Sequence, residues 1–448
     1  MSRIALIGQN SVEYVDMLVN IWNNGDCAVL IDCQIPSQTA VLMMYEAKVK
    51  KCYVEQKYYE KMSKIIDESI TLIPYIRSSP TAQLLPSEIY AKFRNNYSRD
   101  EAIVIYSSGT TGKSKGIILS HFAINTNADA IINYMKPCNN DCMYIVKNLT
   151  HSSSITGELL VALKMKIDLL ITPTIVPPRY TLMNIEKYGV TILCINPTLL
   201  KLYVDDIKKN NKKYDLSALK KIYVNGAKAD KKLILGAQNT LINQQIYYEY
   251  GLSEAGPRVA SQALGYCNIH SVGKPIMGVQ VKILKENGET AAINEHGIIH
   301  VLTPSKYEKY ILGEVKYSSL YKDWLNTGDI GYIDENEELH VLSRIDSLII
   351  KDAHKIYPFE VEEKIQSLAD ISECVVTMVT VQDKDKLCCL YSSETEIPKD
   401  IVGKLGNFMM KYEIPKVFVR IDKLPRTANG KIAKLAVEEI LLRELERR

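Results

Sequence analysis

From Arg3 onward, short runs of consecutive apolar residues alternate with longer amphipathic stretches. Ile4 to Ile7 and Ala28 to Asp32 read as buried strands; Glu13 to Trp22 and Ser37 to Ala47 read as helices, the second opening at an N-cap-like Ser37 after a proline. This β-α-β rhythm predicts an α/β domain with a largely parallel sheet. Ala102 to Ile105 and Ile117 to Leu119 are two further strand-like runs, and Ser120 is placed to cap a helix reaching about Met135. Met143 to Val146, Leu169 to Thr172, Thr191 to Ile195 and Lys221 to Val224 continue the strands, with a helix-like segment at Pro197 to Lys208. Between Gly273 and His300 the pattern shortens to alternating strands with turns at Glu286 to Glu289 and Asn294 to Gly297, which predicts a small β subdomain. Arg344-Ile345-Asp346 reads as a boundary. Beyond it come a helix from about Pro358 and a strand pair, Cys374 to Val381 and Leu387 to Tyr391, joined by the turn Asp383 to Lys386. The expected fold is therefore α/β: a large N-terminal domain over residues 1–343, built of stacked α/β subdomains plus a β subdomain, and a small α+β domain over 344–448.

Composition agrees with more than one domain, because 448 residues at 46% apolar content exceed one ordinary core. A formal net charge of +3, with the lysines spread along the chain, argues against a nucleic-acid or membrane-surface partner. The ten cysteines are scattered. Cys138 and Cys142, and the adjacent Cys388 and Cys389, have no companion Cys/His pair at zinc-site spacing, so buried thiols in a reduced, cytoplasmic protein are expected. The apolar stretch Leu159 to Ile171 is broken by Lys164, Lys166 and Asp168, and the N-terminus lacks a signal pattern, so no membrane span is expected.

The candidate chemistry begins in the segment Tyr106 to Gly116, which holds Ser107, Ser108, Gly109, Thr110, Thr111, Gly112 and Lys115 between two predicted strands. Glycines let successive backbone N–H groups turn onto an anion, the hydroxyls add neutral donors and Lys115 adds charge, which together make a phosphate cradle. A Ser/Gly surface turn is the plain alternative. A Walker-type loop does not fit, because Ser107 stands where its first glycine belongs. Downstream come His151 in Asn148 to Ser154, the strand-ending Asn225-Gly226-Ala227, the run Tyr248 to Glu254, Thr327-Gly328-Asp329, and Pro425 to Ile432 with Lys431. Taken singly, each has an ordinary reading as core, turn or solvated surface.

Together, in this order, they resemble the motifs of the adenylate-forming superfamily: acyl- and aryl-CoA ligases, peptide-synthetase adenylation domains and firefly luciferase. The likeness runs over nearly the whole chain, with Ser114 where the family loop usually has proline, and without the several dozen residues that usually precede this starting point. What those residues would cover is a candidate apolar patch or homodimer contact. The resemblance implies that ATP is held by the loop residues 107–112, Lys115, Gly226, Ala227, Tyr250, Gly251, Ser253, Asp329 and Arg344. It further implies Mg²⁺ on Thr110 and Glu254, acid binding by His151, Asn225 and Gly226, and adenylation assisted by Lys431. Asp346 would be the hinge of a mobile C-terminal domain. The implied activity is ATP-dependent activation of a small carboxylic acid to an acyl-adenylate, then transfer to the thiol of CoA or of an acyl carrier protein. No acidic residue follows His151 before Glu158, which disfavours a free amino acid as substrate. An amino-acid adenylation domain, a luciferase-type monooxygenase and a non-catalytic nucleotide-binding member stay open as alternatives. Ala353, where the family usually has glycine, puts the thiol-transfer step in question.

Overall fold

The computed structural model describes residues 1–107, 115–173, 176–209, 214–227, 231–311, 323–351, 354–369, 371, 373–381, 384–426 and 432–447, with backbone alone for Ser107 and Lys231. Two compact units result: Met1–Thr327 with Tyr332–His340, and Gly328–Gly331 with Val341–Arg448.

In the first unit the strands run β1 (Arg3–Gly8), β2 (Cys27–Asp32), β3 (Lys51–Glu55), β4 (Thr71–Tyr75), β5 (Gln83–Leu84), β6 (Glu101–Ser107) and β7 (Lys115–Ser120). They continue through β8 (Cys142–Ile145), β9 (Asp168–Ile171), β10 (Ile192–Ile195), β11 (Lys221–Val224), β12 (Gln245–Gly251), β13 (Arg258–Ser261) and β14 (Lys274–Pro275). Next come β15 (Gln280–Leu284), β16 (Gly297–Leu302), β17 (Lys309–Tyr310), β18 (Leu325–Ile333) and β19 (Leu339–Arg344), the last two running across the division between the units. Among the described residues one sheet has the order β17-β7-β6-β2-β1-β3-β4, a second β14-β13-β12-β11-β10-β8-β9-β5, and a third β15-β16-β18-β19. The inner strands of the first two sheets are parallel, as the continuous apolar runs require: Ala5 to Ile7 and Ala28 to Ile31 are buried on both faces. Towards one end of each sheet the pairing turns antiparallel, at β7 and β17 in the first and at β13 and β14 in the second, and β5 closes the other end of the second sheet antiparallel as well.

Ser120 caps the helix His121–Met135 as its position predicts, its hydroxyl accepting from the Ala123 N–H at 3.3 Å. Ser37 does not cap. Pro36 occupies the N-cap position without a side-chain bond, and Ser37 is the first residue of the helix Ser37–Glu46. Proline can take that place because its fixed φ suits the helix edge and its missing N–H would have no intrahelical partner there.

The second unit contains β20 (Ile349–Lys351) and β21 (His354–Ile356), the helix Pro358–Leu368, and a sheet of β22 (Glu373–Val381), β23 (Lys384–Ser392) and β24 (Val417–Ile421). The β22/β23 register continues to Val381 opposite Lys384, so Lys384, Asp385 and Lys386 lie in the strand rather than in the expected turn, and Asp383 lies outside the described residues. Cys388 and Leu390 face the helix Lys434–Glu446, while Cys389 and Tyr391 face Pro358–Leu368, the alternation of a strand covered on both sides. All ten cysteines are free thiols, and no helix among the described residues is long and apolar enough to cross a membrane.

Candidate active site

In the first unit the strands flanking the glycine-rich segment pair directly, Ser107 opposite Lys115 and Tyr106 opposite Gly116, so residues 108–114 connect a β-hairpin. Ser108, Gly109, Thr110, Thr111 and Gly112 themselves lie outside the described residues. At the base of this connection the Lys115 ammonium sits 5.3 Å from the centroid of the Tyr310 ring, and the Tyr310 hydroxyl donates to Glu254 Oε1 at 3.1 Å. Burial, reinforced by the Glu254 charge, pushes the Tyr310 phenol up, which keeps it a proton donor to the carboxylate. The backbone adds a second tie, Tyr307 N–H to the Glu254 carbonyl at 2.9 Å. Glu254 is thus tied through Tyr310 to the strand end at Lys115; Tyr310, a residue without a motif of its own, reaches the site because β17 pairs with β7.

Glu254 lies on the short turn Ser253–Ala255 that follows β12. Gly251 ends that strand where the chain folds back on itself; a Cβ there would stand 2.1 Å from the Pro257 carbonyl oxygen, so only glycine fits. Tyr250 is buried within the β12/β13 pair, with 9% of its surface exposed. From the same turn the Ser253 hydroxyl lies 3.0 Å from the Ser152 hydroxyl, joining the Tyr248 to Glu254 run to the segment after His151. His151 is half-buried at the N-cap of a short helical turn, Ser152–Ser154, which widens into a π-helical turn, Ile155–Leu159. Such local widening is common where side chains are re-aimed for function.

Asn225 follows β11 and is buried, while Gly226 (φ +87°) and Ala227 are exposed. The Asn225 amide is held at both ends: Lys147 Nζ donates to its Oδ1 at 3.3 Å, and its Nδ2 donates to Glu249 Oε2 at 2.8 Å. Each partner is itself in an ion pair, Lys147 with Glu158 Oε1 at 3.0 Å and Glu249 with Arg258 Nη2 at 2.9 Å. Tyr134 also donates to Glu249. Burial pushes the Glu158 carboxyl up, against the pull of Lys147. Sequence reasoning noted Glu158 only as the first acid after His151 and missed Lys147, Glu249 and Arg258. Their only mark in the sequence is a charged side chain at the end of, or within, an otherwise apolar strand.

In the second unit Asp329 and Arg344 come together, Arg344 Nη1 lying 3.2 Å from Asp329 Oδ1, with Arg344 Nη2 3.9 Å from Asp346. Asp346 sits on the single turn Ile345–Ser347, half exposed. The same unit provides a Lys434 Nζ bond to the Ser347 hydroxyl at 2.6 Å, which anchors that turn to the last helix. Ala353 and Lys431 lie outside the described residues. Asp334, Glu338 and His340 offer ligand atoms within 4.8 Å of one another, but these atoms already brace a loop: His340 Nε2 meets Asp334 Oδ2 at 2.9 Å, and Glu338 Oε2 accepts from Asn268 at 2.7 Å.

The family model of the AMP-binding enzymes matches residues 1–311, and that of the AMP-binding enzyme C-terminal domain matches residues 360–431. A 2-succinylbenzoate–CoA ligase of Bacillus cereus (strain ATCC 10987 / NRS 248) is 25% identical over 455 residues, covering 98% of this chain and 88% of that protein. A Lactococcus lactis ligase of the same name is 25% identical over 439 residues, covering 97% and 89%. The fold is that of ATP-bound MatB from Rhodopseudomonas palustris (TM-score 0.85, 19% identity, 98% of this chain and 88% of that one). It is equally that of o-succinylbenzoate CoA synthetase from Bacillus subtilis bound to its acyl-adenylate (TM-score 0.79, 21% identity, 98% and 88%).

Proposed function

This chain belongs to the AMP-binding enzymes, and from that premise we propose how its residues activate a carboxylic acid with ATP and pass the acyl group to a thiol. The enzyme is an AMP-forming acid–thiol ligase, with ATP and CoA as co-substrates. The observation that carries the assignment of residues is the convergence on the turn Ser253–Ala255, which Tyr310 links to the base of the glycine-rich hairpin and Ser253 links to the His151 segment. Phosphate and acid would meet there.

A carboxylate is a poor electrophile. Its oxygen attacks the α-phosphorus of ATP, the bond to pyrophosphate breaks with its electron pair leaving on pyrophosphate, and a mixed anhydride remains. The acid enters ionised, so no general base is required. The N–H groups and hydroxyls of residues 107–112, with Lys115, hold the phosphates; Asp329 accepts from the ribose hydroxyls beside Arg344; Tyr250, Gly226 and Ala227 border the adenine. Glu254 is an oxygen ligand already oriented by Tyr310, which fits Mg²⁺, and with Thr110 it would hold that ion. Bound there, Mg²⁺ supplies positive charge that neutralises the phosphate oxygens. Lys431 stabilises the charge gathering on the reacting oxygens. His151, Asn225 and Gly226 receive the acid. In the second step the thiolate attacks the carbonyl carbon and AMP leaves. Ten free thiols fit a reducing, cytoplasmic setting.

Acid-dependent ATP–pyrophosphate exchange across aryl, fatty and amino acids tests this reading. Exchange is expected with an acid lacking an α-amino group, aryl ahead of long-chain aliphatic, since Glu158 is already paired with Lys147 and offers no free anion to an ammonium. Strongest exchange with a proteinogenic amino acid would make the protein an amino-acid adenylation domain instead.

Asp346 is the proposed hinge between the two half-reactions. Asp346→Pro locks φ and removes an N–H. It is expected to lower thioester formation, with CoA or carrier-protein pantetheine, at least about tenfold more than adenylation, as for other gating positions. Equal loss of both half-reactions in a folded variant would remove Asp346 from that role.

A further inference from the structure

Asn225, to which the proposed function gives a part in holding the acid, is backed by charge rather than by hydrocarbon. Lys147 follows β8 with only 7% of its side chain exposed, and its ammonium faces Glu158 Oε1 at 3.0 Å, Asn225 Oδ1 at 3.3 Å and Ser153 Oγ at 3.4 Å. Through the Asn225 amide this pair joins Glu249 and Arg258, so two cations and two carboxylates form one chain whose formal charges cancel. The π-helical turn that carries Glu158, with the residue before it, adds a second observation. Ser154 Oγ, Thr156 Oγ1 and Glu158 Oε2, on side chains with no exposure, have no hydrogen-bond partner among the described residues. Buried polar atoms in native proteins are normally satisfied by protein, water or ligand.

We propose that Lys147 and Asn225 determine which acid this enzyme takes: one whose far end carries a neutral hydrogen-bonding group, a carbonyl or a hydroxyl. The inference rests on the acid-binding role given above to Asn225. An alkyl chain in the same place would strip water from Lys147 and Ser153 and return no hydrogen bond. A second carboxylate or an ammonium would add a charge to a chain already balanced, with no counter-ion left for it. A carbonyl or hydroxyl exchanges bonds with Lys147, Ser153 or the Asn225 amide and leaves the balance intact.

The test uses binding rather than turnover, with three 5′-O-(N-acylsulfamoyl)adenosines of equal chain length: octanoyl, 7-oxooctanoyl and 7-carboxyheptanoyl. Calorimetric Kd values on the full chain are expected to favour the 7-oxo compound at least about tenfold over each of the others, in line with sites that read a polar group. In the double variant Lys147→Met/Glu158→Leu, which removes both charges together, the octanoyl compound is expected to match or overtake it. Equal affinities in the unaltered protein would overturn the inference, as would a preference unchanged in a double variant that still binds AMP. Should that variant not fold, the three affinities of the unaltered protein decide alone. Failure of the unaltered protein to bind AMP at all would instead overturn the reading on which the inference rests, and the inference with it.

Discussion

Lys431→Ala is expected to lower acid-dependent ATP–pyrophosphate exchange by about 10²–10³-fold, the usual consequence of removing one donor aimed at charge that develops in the transition state. As the acid carboxylate closes on the α-phosphate, negative charge from both partners crowds into one region, and an ammonium placed there lowers the barrier without itself exchanging a proton. The effect should therefore fall on kcat for adenylation, with a melting curve close to that of the unaltered protein. Transfer of the acyl group from a pre-formed acyl-adenylate to CoA should survive, because that step breaks the acyl carbon–oxygen bond, with AMP leaving intact, and makes or breaks no bond at phosphorus. Exchange within a few-fold of the unaltered rate would take Lys431 out of the reaction. Lys431→Arg provides a graded comparison, since it keeps the charge and changes its shape.

Arg258→Leu is expected to destabilise the first unit by about 3–5 kcal/mol, the range for breaking a buried ion pair from one side. Arg258 is 2% exposed and its partner Glu249 4%, and Glu249 would be left in the interior with only Asn225 and Tyr134 to compensate its charge. Burial by itself would lower the Arg258 pKa; the Glu249 carboxylate at 2.9 Å, with Tyr134 and Cys194 nearby, holds it up instead. The measurement is the midpoint of the first transition in a denaturant titration, since a chain of two units need not unfold in one step. In the double variant Arg258→Leu/Glu249→Leu the loss should be smaller than the sum of the two single losses, because neither charge is then stranded. An Arg258→Leu protein that unfolds with the unaltered midpoint would mean that the pair is solvated.

Local pattern carried the sequence reading a long way. The apolar run before Ser107 and the short run after Lys115 do pair as a hairpin, and the hydroxyl of Ser120 does cap the next helix, because both features depend on neighbours a few residues apart. Ser37 shows the limit even at short range, where the proline before it took the cap position. What sequence could not supply are contacts closed by topology. Tyr310 reaches Glu254 across 56 positions and Lys147 reaches Asn225 across 78, each through the pairing order of the sheets rather than through any spacing along the chain. A lysine at the end of an apolar strand reads as surface, since the long stem usually carries the charge to water. Only the fold places Glu158 at 3.0 Å and turns that lysine inward.

Asn10, just beyond β1, spans the first two sheets: its amide donates to the Lys147 carbonyl at 2.7 Å and accepts from the Leu149 N–H at 2.9 Å. Both bonds close loops of well over a hundred residues, Asn10 lying 137 positions from Lys147 and 139 from Leu149. Contacts so distant along the chain are entropically late, since the intervening segments must be gathered before the bonds repay the closure. The backbone that presents Lys147 is therefore set only when the N-terminal sheet has already docked on the second. During synthesis the second sheet can form strand by strand as it emerges, yet the backbone from Lys147 to Leu149 stays unset until Asn10, made earlier, has come back to clasp it. A residue translated more than a hundred positions earlier is thus among the last to fix the backbone at Lys147 and Leu149.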